Sequence, residues 1–322
     1  ADGGTPGSLF PSVQDVPIHV RGSYAKLGPV VPRGLPKFFA GADQPAIREG
    51  SGRLELARWI ASPDNPLTAR VMANRIWQGH FGEGLVRTPS NFGKLGERPT
   101  HPALLDWLAA EFIRSGWSVK SMHRLLMSSA AYRRASAVAT DAEAPRRLLK
   151  QDPDNRLFAR WAPRRLEAEC IRDALLSTAG ALDLQLGGPA GEDLNVRRRS
   201  LYVQTTRWSR AYFSSLFDAA DPDQPVGKRN VTTVAPQALF FLNHPFVREQ
   251  AERLAGRLVA EAADDSVRLS QAYELLFSRP PGAEEAAVAS DFLRGRAASD
   301  AVAAWTDFVQ LLMASNEFSY VD

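Results

Sequence analysis

Residues 65–96 read NPLTARVMANRIWQGHFGEGLVRTPSNFGKLG, and their punctuation decides the fold class. Asn65 is a capping residue and Pro66 fits the first helical position, where a missing N–H removes no bond. The spacing that follows predicts a helix from Pro66 toward His80, with Val71, Ile76 and Trp77 turned inward. Phe81–Gly96 holds four glycines and a proline, which predicts a loop held in place by its own aromatics. Beyond it, Thr100 is placed to cap a helix with the stripe Leu104, Leu105, Leu108 and Phe112, stopped at Gly116. Ser118 is placed to cap another that runs through Leu125 and Leu126 to about Ala131.

Outward from this stretch the same pattern continues. Ser51 opens a helix whose apolar residues are Leu54, Leu56, Ala57 and Ile60. Residues 1–50 are rich in Gly and Pro and read as an extended arm, with short extended pieces at Pro17–Val20 and Pro29–Pro32. Ala1–Gly7 reads as a linker, so the chain is expected to be a piece of a longer one. Residues 136–155 are polar and form the best internal boundary. A helix is expected from Pro163 to Ala179, a short strand at Ser200–Thr205, and loops at Gly187–Asn195 and Pro222–Arg229. Helices then fill 235–262, 267–277, 283–297 and 300–316, with a break at Asn243-His244-Pro245. The expected fold is mainly α: an arm over 1–50, a helical domain over 51–322, and a minor β element.

Composition limits the function classes. The chain has 322 residues, 44% hydrophobic and 23% charged, with a net charge of +3. These are the proportions of a folded globular protein, not of a disordered tail. No apolar run is long enough for a membrane span. A net charge this small gives no footprint for nucleic acid unless it is clustered. The single cysteine, Cys170, excludes an intramolecular disulfide and a cysteine-based zinc site. It falls on what reads as an apolar helix face, as an inert core thiol would.

The residues with chemical potential are few. Arg164, Arg165, Glu167, Glu169, Arg172 and Asp173 fall within ten residues, and on a continuous helix Glu169 and Asp173 are neighbours, flanked by Arg165 and Arg172. Two adjacent carboxylates can share a proton or hold a hard cation; they can equally form an ion-pair ladder that pins the helix. His80 sits at a helix end and His101 opens the next helix, but the five histidines have no metal-ligand spacing. The glycines near Phe81 and Asn91 follow a helix instead of preceding one, the opposite of a nucleotide-binding loop. Arg197-Arg198-Arg199 offers guanidinium forks to an anion. Asn230-Val231-Thr232 matches a glycosylation acceptor, a pattern common by chance. No serine nucleophile motif is present.

Several long motifs together carry a resemblance. They are SGRLELA (51–57), the run Asn65–Ala109, GWSVKSMHRLLMSSAAYRR (116–134), DPDNRLFARWAPRRLEAECIRDALL (152–176), RRSLY (198–202), VAPQALFFLN (234–243) and SNEF (315–318). From His19 onward the chain resembles the bacterial family catalogued as domain of unknown function 1553, abundant in Planctomycetes. That resemblance implies the C-terminal part of a large exported protein, outside the cytoplasm. It also implies a cytochrome c-like domain upstream and a redox or polysaccharide-processing setting. It supplies no agreed catalytic residues. This stretch has no CxxCH, so haem is expected only upstream and no cofactor is expected here. In the arm, His19-Val20-Arg21-Gly22-Ser23 has Ser where relatives are expected to carry Asp or Asn.

Two functions remain open at this level. As an enzyme domain acting on a glycan or anionic sugar derivative, the chain would use Glu169, Asp173 or His101 for acid–base work. Arg70, Asn74, Arg75, His80, Asn91, Arg165 and Arg199 would then bind the substrate. A pocket joining Arg70, Asn74, His101 and Glu169 would mark that reading. As a docking domain for the upstream domains or another protein, the same polar residues would be bonded within the body. An apolar patch on the arm or around 206–218 would then be exposed.

Overall fold

The computed structural model describes residues 13–44, 47, 50–136, 143–207, 212–294, 296 and 300–321. The chain divides into two compact units, residues 1–134 with 139–159, and residues 135–138 with 160–322. The described residues are mainly helical, with two small antiparallel strand pairs, as the sequence predicts.

In the first unit, strands β1 (Val16–His19) and β2 (Leu27–Val31) pair antiparallel with Val16 opposite Val31 and His19 opposite Leu27. These are the extended pieces expected from the prolines. A one-turn helix α1 (Lys37–Ala40) and α2 (Arg53–Ile60) follow. Then come α3 (Thr68–Phe81), α4 (Pro102–Arg114), α5 (Val119–Met127) and α6 (Glu143–Gln151). Helix α3 starts at Thr68, two residues later than expected, with Leu67 at the N-cap position; Asn65 instead holds the turn before it, its Oδ1 accepting from the amides of Leu67 and Thr68 at 2.9 and 3.1 Å. Ser118 caps α5 through the Ser121 amide. Gly116 stops α4 region at a positive φ of 69°, a backbone state that glycine adopts without a Cβ clash.

The core of this unit gathers Ile76 and Trp77 of α3, Leu105, Leu108 and Phe112 of α4, and Met122 and Leu126 of α5. Trp77 stacks on Phe81 at 4.1 Å and meets the edge of Phe158 at 5.1 Å. The structure corrects three details. The α2 apolar residues stay exposed, Leu54 at 57%, because no described element covers that face. The N-cap of α4 is His101, not Thr100, and it makes no side-chain cap; the Thr100 hydroxyl and amide both donate to the Leu85 carbonyl instead. Val71 is only half-buried.

The second unit begins with strand β3 (Arg164–Arg165) and helix α7 (Ala168–Thr178). After α8 (Tyr212–Leu216) come α9 (Ala235–Asn243), α10 (Pro245–Glu261), α11 (Asp265–Phe277), α12 (Ala283–Arg294), α13 (Ala301–Met313), α14 (Asn316–Ser319) and strand β4 (Tyr320–Val321). The break at His244-Pro245 is as predicted: the Pro ring cannot continue α9 and starts α10, and His244 Nδ1 caps it by accepting from the Phe246 amide. Helices α10 and α13 pack along their apolar stripes, with Val247, Leu254, Leu258, Trp305 and Val309 all essentially out of solvent.

Here the structure corrects the expected helix from Pro163. Arg164 and Arg165 form a two-residue ladder with Tyr320 and Val321, and the Leu166 amide donates to the Ser319 carbonyl at 2.8 Å. With those backbone groups taken by the C-terminal strand, α7 begins only at Ala168. The expected strand at Ser200–Thr205 is a single 3-10 turn, Ser200–Tyr202, followed by one bridge from Val203 to Gly191. Its first amide is drawn away by the Asp173 carboxylate. Phe213 and Phe217 of the expected 206–218 surface patch are buried in the core; residues 208–211 lie outside the described residues.

Candidate functional site

In the first unit one residue of the polar signature, Asn74, turns inward to hold the backbone. Asn74 is fully buried on α3. Its Nδ2 donates to the Val86 carbonyl at 3.0 Å and its Oδ1 accepts from the Val86 amide at 2.8 Å. One side-chain amide thus replaces a strand partner for the glycine loop. The loop passes so near that a Cβ on Gly84 would lie 2.6 Å from the Val86 oxygen and 2.7 Å from Asn74 Nδ2. Arg70 ties α3 to α4 through Asp106 at 2.7 Å and to its own N-terminus through the Pro66 carbonyl. Asn91 closes a tight turn by accepting from the Gly93 amide at 3.0 Å.

The two histidines are also placed. His80 Nε2 and His123 Nδ1 share a hydrogen bond of 2.7 Å, with the Tyr132 ring edge-on to His80. His101 Nδ1 is 3.0 Å from the Thr100 hydroxyl, its ring tilted against Phe158. Arg75 is exposed on α3. Among the described residues, no group of three or more His, Cys, Asp or Glu is arranged to hold a metal ion.

The second unit contains a cleft of about 550 Å³. Its walls come from the N-terminal turn of α7, the segment 200–205, helix α8 and the irregular stretch from Ala219 to Asn230. Carboxylates Glu169, Asp218 and Asp221 and cations Arg172, Lys228 and Arg229 line it in equal number, among Ser200, Ser214, Ser215, Gln224 and Asn230. Phe213, Leu194 and Val203 give an apolar part to the same surface. Of the sequence-predicted residues, Glu169 is in this cleft. Asp173 and Arg165 stand behind it through their partners, and Arg199 is exposed outside the lining. The residues expected to join Glu169, namely Arg70, Asn74 and His101, belong to the first unit.

Glu169 and Asp173, expected as a pair, have separate partners. Glu169 Oε2 accepts from Arg229 at 2.6 Å, and Glu167 lies 3.4 Å from the same guanidinium. This hydrogen bond, with burial opposing it, lifts Arg229 above its ordinary value. Asp173 Oδ1 accepts from the amide and hydroxyl of Ser200 at 2.8 and 2.7 Å, and from Arg172 at 3.4 Å. Arg172 is buried, and it donates to the carbonyls of Leu194, Val196 and Arg198. Burial pulls its guanidinium below the ordinary value, against the pull of Asp173. It is therefore a fastener for the 194–200 loop, and Asp173 orients Ser200. Arg165, off the helix, has no i−4 relation to Glu169.

Cys170 is exposed on α7, correcting its expected place in the core. Crowding by neighbouring protein pushes its thiol up, and Glu167, Glu169 and Asp173 push it further against Arg229. The group stays protonated at neutral pH, through partial desolvation first and the neighbouring carboxylates second.

Asp218 is the residue that sequence reasoning missed. It sits at a positive φ of 59° just after α8, the left-handed C-terminal position that glycine usually occupies. The Ala219 amide donates back to the Ser214 carbonyl at 2.8 Å, closing the helix. The conformation is held by the carboxylate, which accepts from the Thr232 amide at 2.8 Å, the Thr232 hydroxyl at 2.9 Å and Arg165 at 2.8 Å. Burial raises the Asp218 carboxyl, but the bonds from Thr232 and Arg165 outweigh it, and the net shift is downward. The Thr232 hydroxyl of the apparent glycosylation pattern thus has a structural partner. The available signal was length: Ala219–Val231 has no helix or strand, and loops that long in a compact domain are uncommon and usually functional.

The second unit is helical, and its cleft is lined by α7, α8 and the irregular stretches beside them. The chain belongs to the PSD1 family, a protein family of unknown function (DUF1553), whose model matches residues 52–293. No curated protein and no solved structure matches it.

Proposed function

We propose that the second unit is a ligand-binding domain for an uncharged, hydroxyl-rich molecule of sugar type, with Glu169 as the group that faces the ligand. The observation that carries this reading is the lining of the cleft. Its charges balance, Arg172 and Asp218 are saturated by protein partners, and the remaining hydroxyls and amides beside an apolar wall suit a polyol. A strongly anionic or cationic ligand would find no net field here. Within the resemblance already described, such a domain fits a glycan-processing role in an exported, multidomain protein with a haem domain upstream. Glu169 is then the acid–base candidate, and Asp173 acts only by orienting Ser200.

Thermal melting against malto-, cello- and xylo-oligosaccharides, heparin fragments and nucleotides tests this. A neutral saccharide at a hundredfold excess over its Kd should stabilise by about 2.7 kcal/mol, and Glu169→Gln should remove the shift. The absence of a shift with every saccharide overturns the reading. The docking alternative rests on a separate observation in the first unit. The exposed α2 residues Leu54 and Ile60 and the hairpin residues Ile18 and Val30 are apolar surface with no described cover. No helix of the described residues is long and apolar enough to cross a membrane.

A further inference from the structure

Two histidines of the first unit bring their ring nitrogens to one point. His80 lies in the last turn of α3 and His123 in the middle of α5. They are 43 positions apart, so no ligand spacing shows in the sequence. Nε2 of His80 and Nδ1 of His123 are 2.7 Å from each other, with the ring planes crossed at 70°. The helices that carry them are fixed by a shared core, which joins Ala73, Ile76 and Trp77 of α3 to Met122 and Leu126 of α5. The Tyr132 ring stands edge-on to His80 at 5.5 Å and to Phe81 at 6.1 Å, which restricts the swing of the imidazole. His80 is half-buried and His123 is exposed, so the pair opens to solvent.

A neutral imidazole has one N–H and one lone pair, so one ring of this pair donates and the other accepts. With the His80 proton on Nδ1 and the His123 proton on Nε2, both facing nitrogens present lone pairs to the same point. That is the state in which imidazole binds a metal ion. Coordination then takes one lone pair from each ring and releases no proton from the neutral pair. Two metal–nitrogen bonds of about 2.0–2.1 Å at a tetrahedral angle place the nitrogens about 3.3 Å apart. The opening from 2.7 Å is about 0.6 Å, which a small rotation of the exposed His123 supplies. The site also lies at the C-terminal end of α3, where the helix dipole favours positive charge.

We propose that His80 and His123 chelate a divalent transition metal ion of the zinc, copper or nickel class, which ties α3 to α5. Imidazole suits these ions, whereas magnesium and calcium take oxygen ligands. Two protein ligands leave the remaining positions to water. The site concerns the first unit alone and is independent of the ligand class proposed for the second.

Calorimetry of the full chain with zinc chloride, and in parallel with nickel and magnesium chloride, tests this. The expected result is one zinc site, a nickel site with the same residue dependence, and no magnesium binding. His80→Gln and His123→Gln should each lower zinc affinity by about a hundredfold, because the second, intramolecular bond of the chelate is lost. His19→Gln, on the exposed end of β1, should leave it unchanged. Circular dichroism verifies that each variant is folded. Zinc should also shield His80 and His123 of the wild type from diethyl pyrocarbonate, read by mass spectrometry, a measurement that needs no variant. Affinity retained in either His80→Gln or His123→Gln overturns the chelate, since one surface imidazole or another site then holds the metal. No zinc uptake at millimolar concentration overturns it as well, and so does shielding of other histidines in place of this pair.

Discussion

The two units use polar side chains in opposite ways. In the first, Asn74 is sealed from water and both ends of its amide are bound to one backbone residue, Val86. In the second, Asp218 is likewise bound to backbone, at Thr232, but it also closes the end of a loop that borders a cleft. Both are loop fasteners. The difference is what the fastened loop does next: the glycine loop after α3 packs Leu85 and Val86 into the core, whereas 219–231 leaves Gln224, Lys228 and Asn230 exposed along a concave surface. The side chain of Asn74, conspicuous in the sequence, is thus occupied in holding the backbone. Buried polar groups need complete partners, and satisfying them consumes their chemistry.

That contrast can be broken most forcefully at Asp218. Asp218→Asn keeps the side chain's shape and its tolerance of positive φ but removes the charge facing buried Arg165. The expected loss is about 3 kcal/mol, because a buried guanidinium is left without its counter-charge; urea denaturation measures it. A loss under about 1 kcal/mol would mean that Arg165 finds other partners. Asn74→Ala is the matching change in the first unit. It strands the Val86 amide and carbonyl, each at about 1–3 kcal/mol, and should lower the stability measured by urea denaturation while leaving saccharide binding intact. Lost saccharide binding in a folded Asn74→Ala protein would erase the contrast between the units.

A third change sharpens the picture of the second unit's electrostatics. Arg279 grips Glu285 at 2.7 Å and Glu317 at 2.6 Å. Its guanidinium, with a bond from the Gly282 amide, holds Glu285 down from an ordinary 4.5 to about 2. A depressed carboxylate contributes stability that is present above the unfolded value and disappears as pH falls through the folded one. Glu285→Gln should thus lower stability at pH 7 yet flatten its decline between pH 4.5 and 2, followed by circular dichroism. An unaltered acid profile would assign that decline to other carboxylates, Asp218 first. The smallest stability effect is expected for Glu169→Gln, under about 1 kcal/mol, as for exposed pairs generally. Its binding defect should be large by comparison, and calorimetry with an oligosaccharide shows whether these two quantities separate.

Much of the helical framework was legible because its signals are local. Ser118 and His244-Pro245 act within one turn of themselves, so that cap and that break fall where the sequence puts them, and Asn65 fixes the turn that leads into α3. The start of α7 was not legible. Arg164 and Arg165 read as helix until Tyr320 and Val321, more than 150 residues later, claim their backbone groups. Cys170 was misplaced for a related reason: an apolar face says that a helix packs, but only its neighbours decide which side is covered.

The sequence by itself determined a mainly helical chain, short extended pieces in the arm and membership of a recognisable family. Each follows from short-range backbone preference or from long contiguous motifs. Only the tertiary structure decided where the cleft lies. Asp218 meets Thr232 across 14 positions and Arg165 across 53, and Arg229 meets Glu169 across 60. Contacts at such separations leave no periodic trace in a sequence, because they depend on where packing carries the chain between them.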